Sequence, residues 1–562
     1  MALAKKIWKA SRFHKGISNL NADGSFWFSN GLDIDQYPPY IKVSNKFFKE
    51  TDSVLLPALD EPWGMAYFNN RYYMANRNNG KIFENTFSSW VEVHDNVNIW
   101  GGSGMFADED YLYYAGSTWI GRYDKTTWTD SWQSLNVNTA FDPVPITKFL
   151  KFICFGNKQY MAAWDTAASS WNPNRLTLPS GYVIRWLAPL TDYLVVSAHH
   201  ESQGSALFFW DGYSQTYNRV LQLTQTECLS GVVDKNVLYM VMRDGWICRF
   251  NGTGIEKLNR FPDMDYQDYI NILAQCVKVY QGMIYIAKGS NTFETTRRHH
   301  FCGIWVFNPA TNALYYKHRF SNNAVNNHTG GVSSVQFLFV DRNTIRVGYR
   351  DSTKYIVDIN HDTGTYRPYD FGAYWVSPLV DDEPYLRKRF KQAILNFMKP
   401  IPNSSFARFE VKYNTSERWV RDMKSVNSGG SDFCILSSFP TGMEVGDEVI
   451  VTTGGAAGQT RHIKAMDTVT KRIDFDETLY YVGGSIGTMS AGDMVMITPF
   501  KKLGTIKGNE NSGKVNKMIR FNARTKKIQF KVEIWSNSGF GGEWDMGLKD
   551  FSAIFVPDRI IK

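Results

Sequence analysis

Residues 65–85 read MAYFNNRYYMANRNNGKIFEN and contain the pattern from which the fold can be predicted. An apolar segment is followed by the pair Asn69-Asn70, a Tyr-rich segment, a turn that contains Gly80, and a third segment that closes on an aromatic residue and Asn. Asn-Asn pairs favour tight hairpin turns, and aromatic residues favour strands. The stretch therefore predicts a three-stranded antiparallel meander.

The same pattern recurs along the first two thirds of the chain. Six further copies begin at Met105, Phe149, Trp186, Val232, Cys276 and Phe337. Their spacing is near forty residues, except before the last copy, and repeats of about 40–50 residues with three or four short strands are typical of propeller blades. One meander cannot bury both of its faces, so neighbouring copies are expected to stack in a ring.

The repeat predicts a roughly seven-bladed β-propeller over residues 62–370. Six or eight blades stay open, because the copies at Phe149 and Cys276 are irregular. The competing interpretation is a set of unrelated hairpins in a β-sandwich. Recurrence of one pattern at near-constant spacing disfavours that alternative.

Composition agrees with an all-β chain of several domains. The 562 residues include 37 Phe, 30 Tyr, 18 Trp and 44 Gly, which favour strands and tight turns. Six Cys without a CxxC pair predict buried, reduced thiols rather than a disulfide framework or a zinc ribbon. The formal charge of 62 − 54 = +8 comes without a run of like charges, so no nucleic-acid motif is predicted.

The segments on either side of the repeat are built differently. Residues 1–61 carry no repeat and predict short strands that either close the ring or reach a neighbouring molecule. Residues 371–427 and 499–562 contain alternating strands such as FARFEVKY, which predict an antiparallel β-sandwich. Residues 428–498, with VGDEVIVTTGGAAGQTRHIKAMDTVTKRIDFDETL, predict a small β-barrel inserted into it.

Motifs that carry chemistry are missing from the sequence, and no catalytic, cofactor-binding or metal-binding residue is predicted. No GxSxG elbow or phosphate-binding loop occurs, and the sequence lacks the Ser-x-Asp-x-Gly boxes of sialidase-like propellers. Adjacent His residues in a strand point to opposite faces, so neither His pair is expected to bind one metal ion. Candidates considered for metal binding are His199, His200, His299, His300, Asp263, Asp265 and Asp268.

Two kinds of surface remain as candidates for binding. From Phe371 onward the chain has 27 Lys or Arg against 21 Asp or Glu, so +6 of the net charge lies in this last third. This excess predicts either a solvated face or a surface for an acidic neighbour. Trp residues near blade turns predict packing between blades, with a glycan-binding rim as the alternative. The exposed loop most suited to contact contains Arg297, Arg298, His299 and His300.

The last third resembles proteins of tailed bacteriophages. The strands RFNARTKKIQFKVEIWSNSG and LKDFSAIFVP resemble the terminal sandwich strands of phage structural proteins, and the insertion resembles small barrels found in tail and head-to-tail proteins. The opening segment GLDIDQYPPYIKVSN is similar to the first strands of phage virion proteins that precede a propeller. The combination of a propeller with β-domains is similar to the tail nozzle proteins of short-tailed phages.

The resemblance implies a non-enzymatic virion protein of the tail, made in the host cytoplasm and assembled as a symmetric ring of identical chains with other tail proteins as partners. The alternatives are a propeller that binds a receptor or host-surface glycan, and a propeller glycosidase or lyase with clustered carboxylates in its channel. No cofactor, signal peptide or membrane span is expected. We expect subunit contacts at the strands of 524–535 and at Arg387, Lys388, Arg389, Lys391, Arg524, Lys526 and Lys527.

Overall fold

The computed structural model describes residues 5–557, except 12, 18–24, 35–39, 46, 87–88, 96–103, 138–143, 224–226, 263–269, 291–301, 321–333, 342–343, 351–353, 362–372, 382–385, 417–420, 453, 455, 457, 481–485 and 537–543. The chain divides into two compact units. The propeller unit comprises Phe48–Thr292 and Gly330–His361. The sheet unit comprises Met1–Phe47, Phe293–Thr329 and Asp362–Lys562.

The N-terminal strands are shared out between the two units. Those of the sheet unit are β1 (Lys6–Ser11), β2 (Gly16–Ile17), β3 (Ser25–Phe26), β4 (Phe28–Asn30), β5 (Leu32–Asp33) and β6 (Ile41–Val43). The next strand, β7 (Phe48–Asp52), belongs to the propeller unit.

Five consecutive four-stranded antiparallel sheets form the body of the propeller unit. The first two consist of β8 (Pro62–Phe68), β9 (Arg71–Asn76), β10 (Lys81–Asn85) and β11 (Trp90–Asp95), then β12 (Met105–Ala107), β13 (Leu112–Ala115), β14 (Trp119–Tyr123) and β15 (Trp128–Ser134). The third consists of β16 (Ile146–Phe149), β17 (Phe152–Asn157), β18 (Tyr160–Asp165) and β19 (Ser170–Thr177). The other two consist of β20 (Val183–Pro189), β21 (Leu194–His200), β22 (Gly204–Trp210) and β23 (Arg219–Gln222), then β24 (Cys228–Asp234), β25 (Val237–Met242), β26 (Trp246–Phe250) and β27 (Ile255–Arg260).

The remaining strands complete this unit, which has the sheets of a β-propeller. They are β28 (Ile270–Asn271), β29 (Val277–Tyr280) and β30 (Met283–Ser290), with a 3-10 helix at Ala274–Cys276. The next hairpin along the chain, β31 (Gly303–Asn308) and β32 (Ala313–Arg319), belongs to the sheet unit. A further four-stranded sheet contains β33 (Val335–Asp341), β34 (Thr344–Arg350) and β35 (Tyr355–His361), with β7 as its fourth strand.

Local turn chemistry explains why the repeated sequence forms these sheets. Asn69 and Asn70 both have positive φ, as do Lys235 and Asn236 at the equivalent turn of a later copy. Two such residues in succession give the hairpin turn that matches strand twist. The Asn or Asp that closes each copy has its own role. Asp211, for example, accepts hydrogen bonds from the backbone N–H groups of the residues two and three positions later, both at 2.8 Å. This Asx turn starts the outer hairpin.

Arginines in two outer strands tie one sheet to the next. Arg175 of β19 lies 5.4 Å from the ring centre of Trp210 and donates to the carbonyl of Gly212 at 2.9 Å. Arg219 of β23 lies 5.5 Å from the ring centre of Phe250 and donates to the carbonyl of Gly252 at 2.8 Å. Both glycines lie in the turn after the third strand of the following sheet, so the same cation–π and hydrogen-bond device recurs at successive sheet boundaries.

The N-terminal segment supplies a closing strand. β7 pairs antiparallel with β35, although the two are separated by nearly the whole propeller sequence. The propeller unit therefore starts at Phe48, not at residue 62 as the sequence predicts, because the repeat pattern cannot reveal a strand borrowed from the N-terminus. The prediction of 62–370 as one unit also differs at Phe293–Thr329, which belongs to the sheet unit.

The sheet unit contains two larger sheets and a barrel. Its later strands are β36 (Ala373–Val376), β37 (Lys388–Phe397), β38 (Arg408–Asn414), β39 (Asp422–Gly429), β40 (Phe433–Leu436), β41 (Glu448–Val451), β42 (Thr460–Asp467), β43 (Arg472–Phe475), β44 (Met494–Thr498), β45 (Lys501–Lys507), β46 (Asn516–Thr525), β47 (Gln529–Trp535) and β48 (Gly547–Pro557), with one helical turn, α1 (Gly508–Asn511). The six-stranded sheet has the order β46-β37-β48-β6-β5, with β1 also paired to β48. The five-stranded sheet has the order β4-β36-β47-β38-β45.

Aromatic side chains of these two sheets pack on one another. Phe530 of the five-stranded sheet lies 5.0 Å from Phe551 and 6.1 Å from Phe390 of the six-stranded sheet, measured between ring centres. Phe397 and Phe409 stack at 4.5 Å. Burying a large aromatic side chain contributes about 1.5–3 kcal/mol, so these contacts form the core of this unit.

A closed barrel of six strands lies in the sheet unit, in the order β39-β40-β43-β42-β41-β44. The small inserted barrel predicted from the sequence is confirmed, but it begins at Asp422 instead of residue 428. Its interior is apolar and includes Leu436, Val449, Ile463 and Val495, all 0–1% exposed.

Candidate interaction surface

Part of one face of the six-stranded sheet is exposed, along β1, β37 and β46, whereas β5 and β6 are buried. Exposure alternates along β46, and its exposed residues include Met518, Arg520 and Arg524. Strand β37 exposes Arg389 and Lys391. Successive residues of a strand point to opposite faces and every second residue shares a face, so these side chains lie together on the outer face. We call this the basic face, defined by the exposed residues of β1, β37, β46 and β48.

Strand register concentrates positive charge on the basic face. Arg389 lies directly opposite Arg524, and Gln392 lies opposite Arg520. Directly opposite side chains in an antiparallel pair are about 4.5–5.5 Å apart at Cβ, so like charges there repel. Among β1, β37, β46 and β48, Asp550 is the one carboxylate, and it already pairs with Lys9 at 3.5 Å. The face is therefore electrostatically suited to an acidic partner.

Apolar side chains lie among these charges. Ile7 of β1 is 65% exposed and Met518 of β46 is 41% exposed. Scattered apolar residues on a surface need no explanation by themselves. Combined with basic residues on one face of the sheet, they give the mixed apolar and charged character of a protein-binding surface.

The structure exposes some of the predicted contact residues and buries others. Arg387, Arg389, Lys391, Arg524 and Lys526 are exposed, and Lys527 is half-buried. Their role in subunit contact stays a prediction.

Two parts of that prediction are wrong. Lys388 is fully buried, and its ammonium donates to the carbonyl of Lys526 at 2.9 Å, so it is not available to another subunit. Lys388 shares a strand face with Phe390, which points into the core. Strand β47 within 524–535 is also buried throughout, because it lies in the interior of the five-stranded sheet.

Sequence reasoning missed Arg520, Lys9 and Met518 on the same face. Arg520 could have been predicted from the sequence, because it lies at every second position of one strand together with Met518, Asn522 and Arg524. Lys9 carries none, because its strand comes from the N-terminus and only the pairing of β1 with β48 brings it there.

A buried ion cluster joins the barrel to the five-stranded sheet. Lys412 of β38 donates to Glu448 of the barrel at 2.7 Å and to Thr460 at 2.7 Å, and it also contacts Glu533. Lys531 donates to both carboxylate oxygens of Glu448, at 2.7 and 2.9 Å. All four ionised side chains are at most 2% exposed.

Burial and pairing act in opposite directions on these groups. Burial by itself would lower the pKa of Lys412, but Glu448 and Glu533 raise it above its usual value. Burial would raise the pKa of Glu448, but Lys412 and Lys531 hold it well below its usual range. Lys412 and Glu448 are therefore an ionised pair at neutral pH. The side chains of the cluster are closed to solvent, so their chemistry is structural: they fix the barrel on the sheet.

A half-open cavity of about 480 Å³ lies between the first strands of the sheets of the propeller unit. Burial lowers the pKa of Lys278, which lines it. The described residues of the lining include no Asp or Glu, so the carboxylate cluster that the glycosidase alternative predicts is not found among them. Representative lining residues, one from each of the surrounding strands, are Met65, Phe106, Thr147, Leu187, Val232, Lys278 and Leu338.

The Trp residues of the propeller pack mainly against other side chains. Trp128 stacks on Tyr123 at 4.2 Å and on His94 at 4.5 Å, and Trp210 is fully buried. Trp119 is 37% exposed. These contacts agree with packing, the interpretation that the sequence favours for this set.

The His199–His200 pair does not form a metal-binding site with any of the described residues. His199 approaches Ser205 Oγ at 3.1 Å, whereas His200 contacts Ser202 at 3.2 Å, so the neighbouring rings have separate partners. No group of three potential metal-ligating side chains converges in the described part of the chain. The predicted contact loop with Arg297, Arg298, His299 and His300 lies outside the described residues, as do Asp263, Asp265 and Asp268.

Two further sequence predictions can be compared with the structure. All six Cys side chains are buried, as predicted. None of the helices in the described segments has the length and apolar character to cross a bilayer.

Comparisons with known proteins do not assign this chain to a family. No family model matches the chain. No curated protein matches it either.

Solved propeller structures are similar at low identity. The WD40 β-propeller domain of Doa1 is 10% identical, covers 57% of this chain and 98% of its own, and has a TM-score of 0.39. A chain of the mitotic checkpoint complex is 11% identical, with coverages of 58% and 96% and a TM-score of 0.40. The computationally designed Ika8 protein is 12% identical, with coverages of 57% and 98% and a TM-score of 0.36. At these scores the assignment of a β-propeller rests on the four-stranded sheets themselves.

Proposed function

We propose that this chain is a non-enzymatic structural component of a bacteriophage virion, a tail nozzle or tail-tip protein that assembles as a symmetric ring. The observation that carries the proposal is the basic face. Arg389, Lys391 and Arg520 have no carboxylate partner within the described part of the chain, whereas Lys9, Lys42, Lys399, Lys501 and Lys502 of the same unit are each paired with an Asp or Glu.

Rigid attachment of the barrel supports the same proposal. A building block of a particle has to present its surfaces in a fixed geometry, and the buried Lys412–Glu448–Lys531 contacts hold the barrel on the sheet. A fully hydrogen-bonded buried ion cluster favours one arrangement over others, because any displacement leaves charges without partners.

A seven-bladed propeller followed by a β-sandwich is the finer architecture that we propose. The first strands β8, β12, β16, β20, β24, β29 and β33 contact one another in sequence, and β33 contacts β8, which supports a count of seven. The aromatic contacts between the six- and five-stranded sheets support a sandwich. In this arrangement β7 closes the last blade.

Reversing the charge of the basic face is expected to abolish self-assembly. The variant Arg389→Glu/Lys391→Glu places two carboxylates where the proposed interface requires cations, and like-charge contacts across an interface cost several kcal/mol. Light scattering on the purified chain should give a multiple of 64.4 kDa for the native protein and a monomer for the variant.

A matched control is the double reversal Lys148→Glu/Lys235→Glu at two exposed positions of the propeller unit, which changes net charge equally. It should leave the assembly intact. A variant at the basic face that assembles like the native chain would overturn the role of this face, and a native chain that stays monomeric at all concentrations would favour the receptor-binding alternative.

A further inference from the structure

The outer edge of β46 is open. It is the terminal strand of the six-stranded sheet and runs over ten residues, Asn516–Thr525. On its inner side it pairs with β37 along most of its length. A long open edge presents unpaired N–H and C=O groups that can template another strand.

Register shows which residues of β46 direct their backbone to this edge. The N–H of Phe397 donates to the carbonyl of Val515 at 2.8 Å, so these two residues form a hydrogen-bonded pair. Pairs alternate in an antiparallel ladder, and therefore Asn516, Met518 and Arg520 point their N–H and C=O groups away from β37. These backbone groups have no hydrogen-bond partner within the described residues.

The same residues combine the open backbone with basic and apolar side chains. Met518 is 41% exposed, Arg520 is exposed, and Arg389 and Lys391 lie on the neighbouring strand. An incoming strand with carboxylates at alternate positions would pair its backbone with β46 and present its acidic side chains on the basic face, since alternate side chains share one face.

We infer that β46 is a strand-addition site for an extended acidic segment of a partner chain. The inference rests on the proposed function, because it supplies the manner in which the basic face would bind its neighbour. Backbone hydrogen bonds would give affinity, and the basic side chains would select acidic over neutral or basic strands.

The test uses the full chain and a labelled, end-blocked ten-residue peptide that alternates Glu and Val, followed by fluorescence anisotropy. We expect saturable binding, with at least a tenfold loss when alternate peptide nitrogens are methylated and when Lys replaces Glu. N-methylation removes the donors that pair with β46 and leaves the charges unchanged. It therefore separates strand addition from simple attraction to the basic face.

Two variants of the protein locate the site. Met518→Pro removes one outward N–H and should weaken binding at least tenfold, whereas Met518→Leu should bind like the native chain. Arg520→Glu leaves the backbone groups of the β46 edge intact and reverses one charge of the basic face. It therefore tests the site if the Pro variant does not fold. The inference is overturned if the peptide does not bind, if the N-methylated peptide binds equally well, or if Met518→Pro binds the peptide like the native chain. If the native chain assembles but does not bind the peptide, the inference fails and the proposed function stands.

Discussion

Replacing Lys412 by Met is expected to lower the free energy of unfolding by about 3–5 kcal/mol, because removal of one partner leaves uncompensated charge in a buried ion cluster. Lys412 is 0% exposed and its ammonium contacts Glu448, Thr460 and Glu533. Without it, the carboxylates of Glu448 and Glu533 remain buried and lose this cation, and Lys531 stays hydrogen-bonded to Glu448 only. Urea unfolding, followed by circular dichroism of the native and variant chains, measures the effect.

Lys501→Met is the matched control for this prediction. Lys501 also pairs with a Glu of the barrel region, at 2.7 Å from Glu444, but both side chains are exposed. Its loss is expected to change stability by less than about 1 kcal/mol. Equal effects of the two substitutions would contradict the structural role of the buried cluster.

Replacing Glu50 by Ala is expected to cost about 3 kcal/mol and to release the closing strand of the propeller. Glu50 of β7 accepts two hydrogen bonds from Arg346 of β34, each at 3.0 Å, and a third from Asn85 in the first sheet at 3.2 Å. Arg346 is only 4% exposed and lies 4.0 Å from the ring centre of Tyr72. Glu50 therefore links the last sheet of the propeller unit to its first.

Hydrogen exchange of the β7 amides tests this prediction, since the Glu50→Ala variant should exchange faster there than in the central strands. The control is Glu92→Ala, which removes a partly exposed pair with Lys81 at 2.9 Å and should cost no more than about 1 kcal/mol. Restored protection in the double variant Glu50→Leu/Arg346→Met would locate the cost in the unpaired guanidinium. Unchanged exchange of β7 in Glu50→Ala would show that this pair does not hold the strand.

The parts of the fold that the sequence reveals are the local ones. Asn69-Asn70 forms its hairpin from two adjacent residues, and Asp211 forms its turn with its own near neighbours. Such signals recur in every copy and predict the propeller. The pairing of β7 with β35 joins distant segments that share no motif, so the N-terminal segment could be assigned either to closure or to an arm.

The buried ion cluster could not be predicted from the sequence, for a different reason. FARFEVKY and FKVEIW alternate charged and apolar residues, a pattern that indicates a sheet with one solvated face. Glu448 of the barrel covers the charged face of these strands and pairs with Lys412 and Lys531. On β37, by contrast, the sequence already indicates that Lys388 is buried. Lys388 lies two residues before Phe390 and therefore on the same face of the strand.

The most direct measurement is mass spectrometry of purified tailed-phage particles from the infected host, quantified against known tail proteins. The proposal predicts this chain in the particle, in a fixed ratio that corresponds to one ring, and cross-links to neighbouring chains from Lys391 or Lys526. Absence of the chain from purified particles, with the protein found only as a free 64.4 kDa monomer in the lysate, would contradict it.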